Sequence, residues 1–324
     1  MKLLASLFLA AATMVCTSSV RAQAWPSKPI RLLVPLAAGS TADIVSRTVA
    51  AELSKQLGQT VVVENKPGAG GTIAMADVAR ALPGDGYLIS FASQGTLVFN
   101  QALYAKPGYD SLKDFTPLAF VGGVSNVMIV PPASAAKTPA DVVSAAKAKP
   151  GQATFSSGGS GTSHHLSGVL FGRLTGSELL HVPYKGAPQG IFAVMAGEVS
   201  MGFFNTPTVI TQVREGKVKA LGVTSLARSP LLPDLPTLDE QGIKGYEMNT
   251  WFGFIAPAGL PSDITARLNS ELNRALAQPE LRDKLAAQGF ELAPAMPSAA
   301  FGKIIADDMK KWVPIVKASG AVAD

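Results

Sequence analysis

The sequence predicts an α/β protein of two lobes, with the chain crossing between them twice. Two observations carry this. Strand and helix patterns alternate through most of the chain, and one layout, an apolar strand, a small-residue loop and an amphipathic helix, occurs at both 30–58 and 153–176. A third is the helical tail beyond residue 260, which packs back on the first lobe if the chain returns there.

The chain has 324 residues and a formal net charge of +5. Its start reads as an export signal. Lys2 supplies a positive end, Leu3 to Val15 an apolar core, and Ala22-Gln23-Ala24 a small-x-small cleavage site, placing residues 1–24 outside the mature protein. That core is shorter than the roughly 20 residues a bilayer requires, so a permanent anchor is not expected. Cys16 invites a lipoprotein reading, but Val15 is too bulky for that signal. Cys16 is the only cysteine, so the mature chain has no disulfide or thiolate chemistry. The positive excess forms no Lys/Arg tract, which argues against nucleic acid as a partner.

Residues 30–36 (IRLLVPL) read as a buried strand. Ser40 or Thr41 caps a helix with Ile44, Val45, Val49, Leu53 and Leu57 at helical spacing, and Gly58 stops it. TVVVE (60–64) is a strand, NKPGAGG (65–71) a tight loop, and a helix follows near 72–82. YLISFAS, ending at Ser93, is the third strand, so the first lobe is expected to be parallel α/β. The second series begins with NVMIVPP (126–132), then a helix near 138–149, ATFSS, a helix after GGSGTS, LLHVPYKG, a helix near 187–196, VSMGFFN, a helix near 206–215, and VKALGVTS. Residues 225–246 are Pro- and Gly-rich and read as an irregular surface segment. In the tail, Ser262 caps a helix bearing Ile264, Leu268, Leu272 and Leu276, and a last helix spans 298–318. Crossings are expected near 119–126 and 246–258. The resulting division is 25–124 with 252–324 in one lobe and 125–251 in the other.

Two loops are built to hold an anion. A small-residue loop opening a helix leaves backbone N–H groups at the positive end of the helix dipole. The first is Leu36-Ala37-Ala38-Gly39-Ser40-Thr41-Ala42-Asp43, whose capping needs only one hydroxyl. The second, Ser156-Ser157-Gly158-Gly159-Ser160-Gly161-Thr162-Ser163, has three glycines and five hydroxyls, more than a turn requires. It matches neither a dinucleotide fingerprint nor a Walker loop. The hydrolase elbow G-x-S-x-G nearly fits at Gly158, but Thr162 stands where its last glycine belongs. His164 and His165, side by side, cannot share a metal, and with His181 they are the only histidines. His164 serves either the ligand or the helix start. Tyr184 and Lys185 offer a hydroxyl and a cation at a strand end, or an ordinary loop. Ser93 and Asn205 close other strands, where open α/β sheets bind ligands.

The motifs Trp25-Pro-Ser-Lys-Pro-Ile-Arg, Val63-Glu-Asn-Lys-Pro-Gly-Ala-Gly-Gly71, Tyr109-Asp-Ser-Leu-Lys-Asp-Phe115, His181-Val-Pro-Tyr-Lys-Gly186, Arg228 to Thr237 and Trp251 to Gly259 resemble, in order, the Bug family of periplasmic receptors for tripartite tricarboxylate transporters. The resemblance implies a periplasmic-binding-protein-like fold of type II, a Venus flytrap. It also implies a small carboxylate ligand (di- or tricarboxylate, acidic amino acid or aromatic acid), a membrane permease as partner, no cofactor and a periplasmic location. It places ligand contacts at Leu36–Asp43 and Ser157–Ser163. Gly39-Ser40 replaces a frequent Gly-Gly, and Asn205 stands where Asp is common, which weighs against an amino acid. Phe91, Phe203 and Phe204 are candidates for flat apolar walls. A Ser160-dependent hydrolase, and a receptor feeding a sensor instead of a permease, are the alternatives.

Overall fold

The computed structural model describes residues 25–81, 83–318 and 321, so the signal segment and Cys16 lie outside the described residues. Strands β1 (Ile30–Val34), β2 (Val61–Asn65) and β3 (Leu88–Ser93) are parallel neighbours in the order β2-β1-β3. Helix α1 (Thr41–Leu57) follows β1, buries Val45, Val49, Leu53 and Leu57, and ends on Gly58 in the left-handed conformation. Helix α2 (Thr72–Arg80) follows β2. After β3 come a wide helical turn at Gly95–Phe99 and the short α3 (Asn100–Leu103), neither of which the sequence announced.

Strand β4 (Phe115–Val130) links the lobes. It starts well before the expected Asn126. Its first part pairs with β9 (Asn249–Pro257), ending at Ser125 opposite Asn249. From Asn126, opposite Asn205, it pairs with β7 (Met201–Asn205) and β8 (Lys219–Val223) of the second lobe. That lobe adds α4 (Pro139–Ala148), β5 (Ala153–Ser157), α5 (Ser163–Thr175), β6 (Leu179–Pro183), α6 (Ala187–Ala196) and α7 (Thr206–Arg214), with β5, β6 and β7 parallel. The chain returns along β9.

The first lobe is therefore mixed instead of purely parallel: β9 is antiparallel to both β3 and β4. The cause is topological. The parallel strands of each lobe run toward the other lobe. A strand that leaves one lobe for the next enters it against that lobe's own direction, so β4 opposes β7 and β9 opposes β3.

The tail packs on the first lobe. Helix α8 (Ser262–Ala277) lies on α1 and β4 and buries Leu268, Leu272 and Leu276. Its cap position is Pro261, not Ser262, which is the first helical residue. Helix α9 (Pro279–Ala286), the short β10 (Glu291–Leu292) on β4, and α10 (Ser298–Ala318) follow, and Trp312 of α10 meets Phe99 edge-on at 5.6 Å. Residues 225–246 are irregular as expected but well anchored, since Leu238, Ile243 and Tyr246 are buried. Phe91, Phe203 and Phe204 are wholly buried in the cores, so none is a wall of a cleft. No described helix is long and apolar enough to cross a membrane.

Candidate functional site

The carboxyl ends of β1, β2, β5 and β6 open onto one cleft of about 460 Å³ between the lobes. The first lobe supplies Leu36 and Ala37 after β1, Pro67–Gly71 after β2, and Tyr104 after α3. The second supplies Gly158–Ser160 after β5 and Pro183–Gly186 after β6. This is the volume of a small-molecule site, at the position where open α/β sheets bind ligands.

Of the residues singled out in the sequence, Leu36, Gly158, Gly159, Ser160, Tyr184 and Lys185 line this cleft. Ala38, Gly39, Ser40, Thr41, Asp43, Ser93, Ser157, Gly161, Thr162, Ser163, His164 and Asn205 are not among its walls. Their bonds show why. In the first loop, Gly39 N–H donates to Asp43 Oδ2 (2.9 Å), Ser40 N–H to Ala37 O (3.1 Å), and Ser40 Oγ caps α1 by accepting from Asp43 N–H. Burial alone would raise the Asp43 pKa, but the Gly39 amide, Arg47 and Asn65 outweigh it and hold the carboxyl below its usual range. The positive start of α1 is thus already matched by a carboxylate of its own. Thr41 Oγ1 meets Thr208 Oγ1 of α7 at 2.8 Å, a contact from lobe to lobe. Ser93 accepts from Thr96 N–H at the turn into α3.

The second loop is also largely self-satisfied. Gly158 N–H donates to His164 Nδ1 and Gly161 N–H to His165 Nδ1, both at 3.3 Å. Gly159 N–H donates to Ser157 Oγ (3.0 Å), and Thr162 N–H to Gly159 O (3.3 Å). Thr162 caps α5. Buried amides require partners, and here two histidines one turn ahead provide them. Burial pushes the pKa of His164 down to about 4, and that of His165 to about 3 with help from His181; both rings are neutral acceptors. Behind them, His164 Nε2 bonds to Asn205 Oδ1, Asn205 Nδ2 donates to Asn126 Oδ1, and Asn126 Nδ2 donates to Ser167 Oγ (2.8 Å). His164 and Asn205 support the loop from beneath.

What faces the cleft uncommitted is narrower than the sequence suggested. Among the described residues, no protein group bonds the Ser160 amide or hydroxyl, or the Lys185 ammonium. Lys185 is the only charged side chain that the described residues place on the walls. Lys66, just outside, is paired with Asp77. The tyrosine of the pair looks outward, with Tyr184 OH donating to Glu198 Oε2 at 3.4 Å. Sequence reasoning missed Pro67–Gly71 and Tyr104. The first had a signal, since TVVVE-NKPGAGG repeats the strand-to-glycine-loop layout a third time. Tyr104 leaves a single-turn helix and had none.

Among the described residues, the serine hydrogen-bonded to a histidine side chain is Ser157, Oγ to His181 Nε2 at 2.7 Å, and it has no solvent exposure. No group of histidine, cysteine and acidic side chains among the described residues can hold a metal.

The description of the tripartite tricarboxylate transporter family receptor matches residues 45–321. The chain belongs to this receptor family. It is a solute receptor with the two-lobed binding-protein fold, not an enzyme. It is 32% identical to BugT of Bordetella pertussis over 321 residues, 99% of this chain and 98% of that one. The structure of Rpa4515 from R. palustris with adipate superposes with a TM-score of 0.87 at 32% identity, covering 92% of this chain and 99% of that one. MatC from Rhodopseudomonas palustris with bound malate gives 0.85 at 30% identity, covering 90% and 100%.

Proposed function

We propose that this receptor works in the periplasm, after removal of residues 1–24, and captures a small carboxylate for the permease of a tripartite transporter. Residues 25–124 with 252–324 form one jaw and 125–251 the other. The observation that carries the ligand class is the charge of the cleft: among the described residues, its walls hold one free cation, Lys185, free donors at Ser160, and no acid. The start of α6 adds to this, for the helix opens directly after Gly186 on the wall and has no acidic residue in its first turn. The adipate and malate in the related structures are both dicarboxylates, which favours a di- or tricarboxylate over an aromatic acid. Ser160 and Lys185 meet the anion. Leu36, Gly158, Gly159 and Tyr184 shape the walls, and the remaining loop residues hold those walls in place. Closure is favoured because contacts to both jaws exist together only in the shut form.

A thermal-shift screen of the mature protein against mono-, di- and tricarboxylates tests this. A ligand at about 100 times its Kd adds roughly 2.7 kcal/mol of stability. If every acid leaves the melting temperature unchanged, the carboxylate assignment is wrong.

A further inference from the structure

The first lobe touches the second along one wall of the cleft at backbone groups of the 158–161 loop. Tyr104 OH donates to Ser160 O at 3.4 Å. A Cβ on Gly70 would run into the same Ser160 carbonyl, and one on Gly161 would run into Asn100 Oδ1. Asn100 Nδ2 in turn donates to Gly70 O at 3.0 Å, tying the Pro67–Gly71 loop to α3. The third contact is at Gly95, at the start of the wide turn after β3, where a Cβ would stand 2.7 Å from Gly161 O. Three glycines, two on the first lobe and one on the second, thus bring the loop 158–161 flat against the opposite jaw. This seam lets Ser160 sit in the cleft while its carbonyl is held from the other side.

Gly95 differs from the other two. Gly70 (φ 59°) and Gly161 (φ 82°) are left-handed, which by itself favours glycine. Gly95 is not among the positive-φ glycines and lies in a helical turn, where alanine is the better residue. Nothing in its own backbone calls for glycine; the opposing Gly161 carbonyl does.

We infer that Gly95 is a positioning residue for ligand capture: its missing side chain sets how closely the first lobe seats on the 158–161 loop, and hence whether the cleft can shut on an acid. The inference rests on the receptor reading above.

The test is Gly95→Ala in the mature chain, titrated with succinate, malate, adipate and citrate by calorimetry, with small-angle scattering to follow closure. A merely structural glycine would give a lower melting temperature. The seam gives a ligand-free melting temperature equal to or above the wild type, at least tenfold weaker binding, and loss of the contraction that the wild type shows on adding acid. Gly70→Asn is the second wedge, because asparagine tolerates the left-handed angle while its Cβ still meets Ser160 O. It should weaken binding similarly, and it decides the matter if the alanine variant folds poorly. Wild-type affinity and contraction in a folded variant would overturn the seam and leave the receptor intact. If the wild type itself binds none of these acids, the receptor reading falls, and the seam with it.

Discussion

His164 and Asn205 share a hydrogen bond, Nε2 to Oδ1 at 3.3 Å, beneath the second cleft loop and out of reach of solvent. Because Nδ1 of the same ring accepts from Gly158 N–H, the ring is the Nε2–H tautomer and donates to Asn205. The bond fixes which way the asparagine amide points. Asn205 Nδ2 then faces Asn126, the first β4 residue paired in the second lobe. Cleft floor and crossover strand are therefore joined by a chain of three buried side chains.

That chain predicts a cost for Asn126→Leu. The substitution removes the donor to Ser167 Oγ, leaving that buried hydroxyl without this partner, and leaves Asn205 Nδ2 with only the longer bond to Ser163 Oγ (3.4 Å). Such an orphan costs about 1–3 kcal/mol, so a loss of roughly 2 kcal/mol is expected. Chemical denaturation should report it, together with weaker ligand binding. A surface variant such as Lys149→Gln should change neither.

Acid stability follows from the histidines. Burial brings His164 and His181 to about 4, and His165 to about 3, against an ordinary value of 6.5. Their folded pKa values lie below the unfolded ones, so the unfolded chain takes up protons first as pH falls. Stability is full above about pH 6.5 and is lost progressively down to pH 4 and below, with His164 alone contributing on the order of 3 kcal/mol. His165, His181 and Phe155 stack, with centroids at 4.0 Å between the two histidines and 4.9 Å from His181 to Phe155. His165→Phe keeps a flat ring there but cannot charge. It should cost about 1 kcal/mol at pH 7 through the lost Gly161 bond, and yet show a shallower fall between pH 6.5 and 4. Parallel curves for the two proteins would contradict the assignment.

Lys185→Gln tests the charge of the cleft. The ammonium is exposed, and such pairs contribute about 0.2–1 kcal/mol, so the expected loss is at most roughly fivefold in Kd. The wild-type affinity should fall with added salt more steeply than that of the variant. Equal salt slopes would place the ammonium away from the bound acid.

Much of this site could be read from the sequence, and the rest was hidden for a physical reason. The glycine and hydroxyl content of 156–163 located the loop, and helical spacing in 41–57 located α1. Composition does not show which donors are already taken. His164 looks like a candidate ligand contact until the helix turns its Nδ1 back onto Gly158, as it turns His165 Nδ1 onto Gly161. Asp43 likewise reads as a loop end, yet it bonds Gly39 within its own turn. The three strands of 30–93 are parallel as expected, but the lobe as a whole is mixed because β9 runs against β3 and β4, a direction that depends on lobe placement rather than local pattern. Tyr104 reaches the cleft only because β3 is followed by a wide turn that no periodicity marked.

Thr41 supplies the last prediction, because its hydroxyl meets Thr208 on the other jaw at 2.8 Å instead of capping α1. In the closure mechanism proposed above, contacts between the jaws belong to the shut form, so removing this bond should leave the open form unchanged and speed ligand release. Thr41→Val keeps the shape and removes the hydroxyl. One hydrogen bond contributes about 1 kcal/mol net, which corresponds to roughly a fivefold faster off-rate with the on-rate unchanged. Thr208→Val should do the same. Since either change breaks the same bond, the double variant should release ligand no faster than either single one, a non-additivity that stopped-flow kinetics can measure. Additive effects would mean that the two hydroxyls act on separate partners, and that Thr41 is held to the second lobe by something other than Thr208.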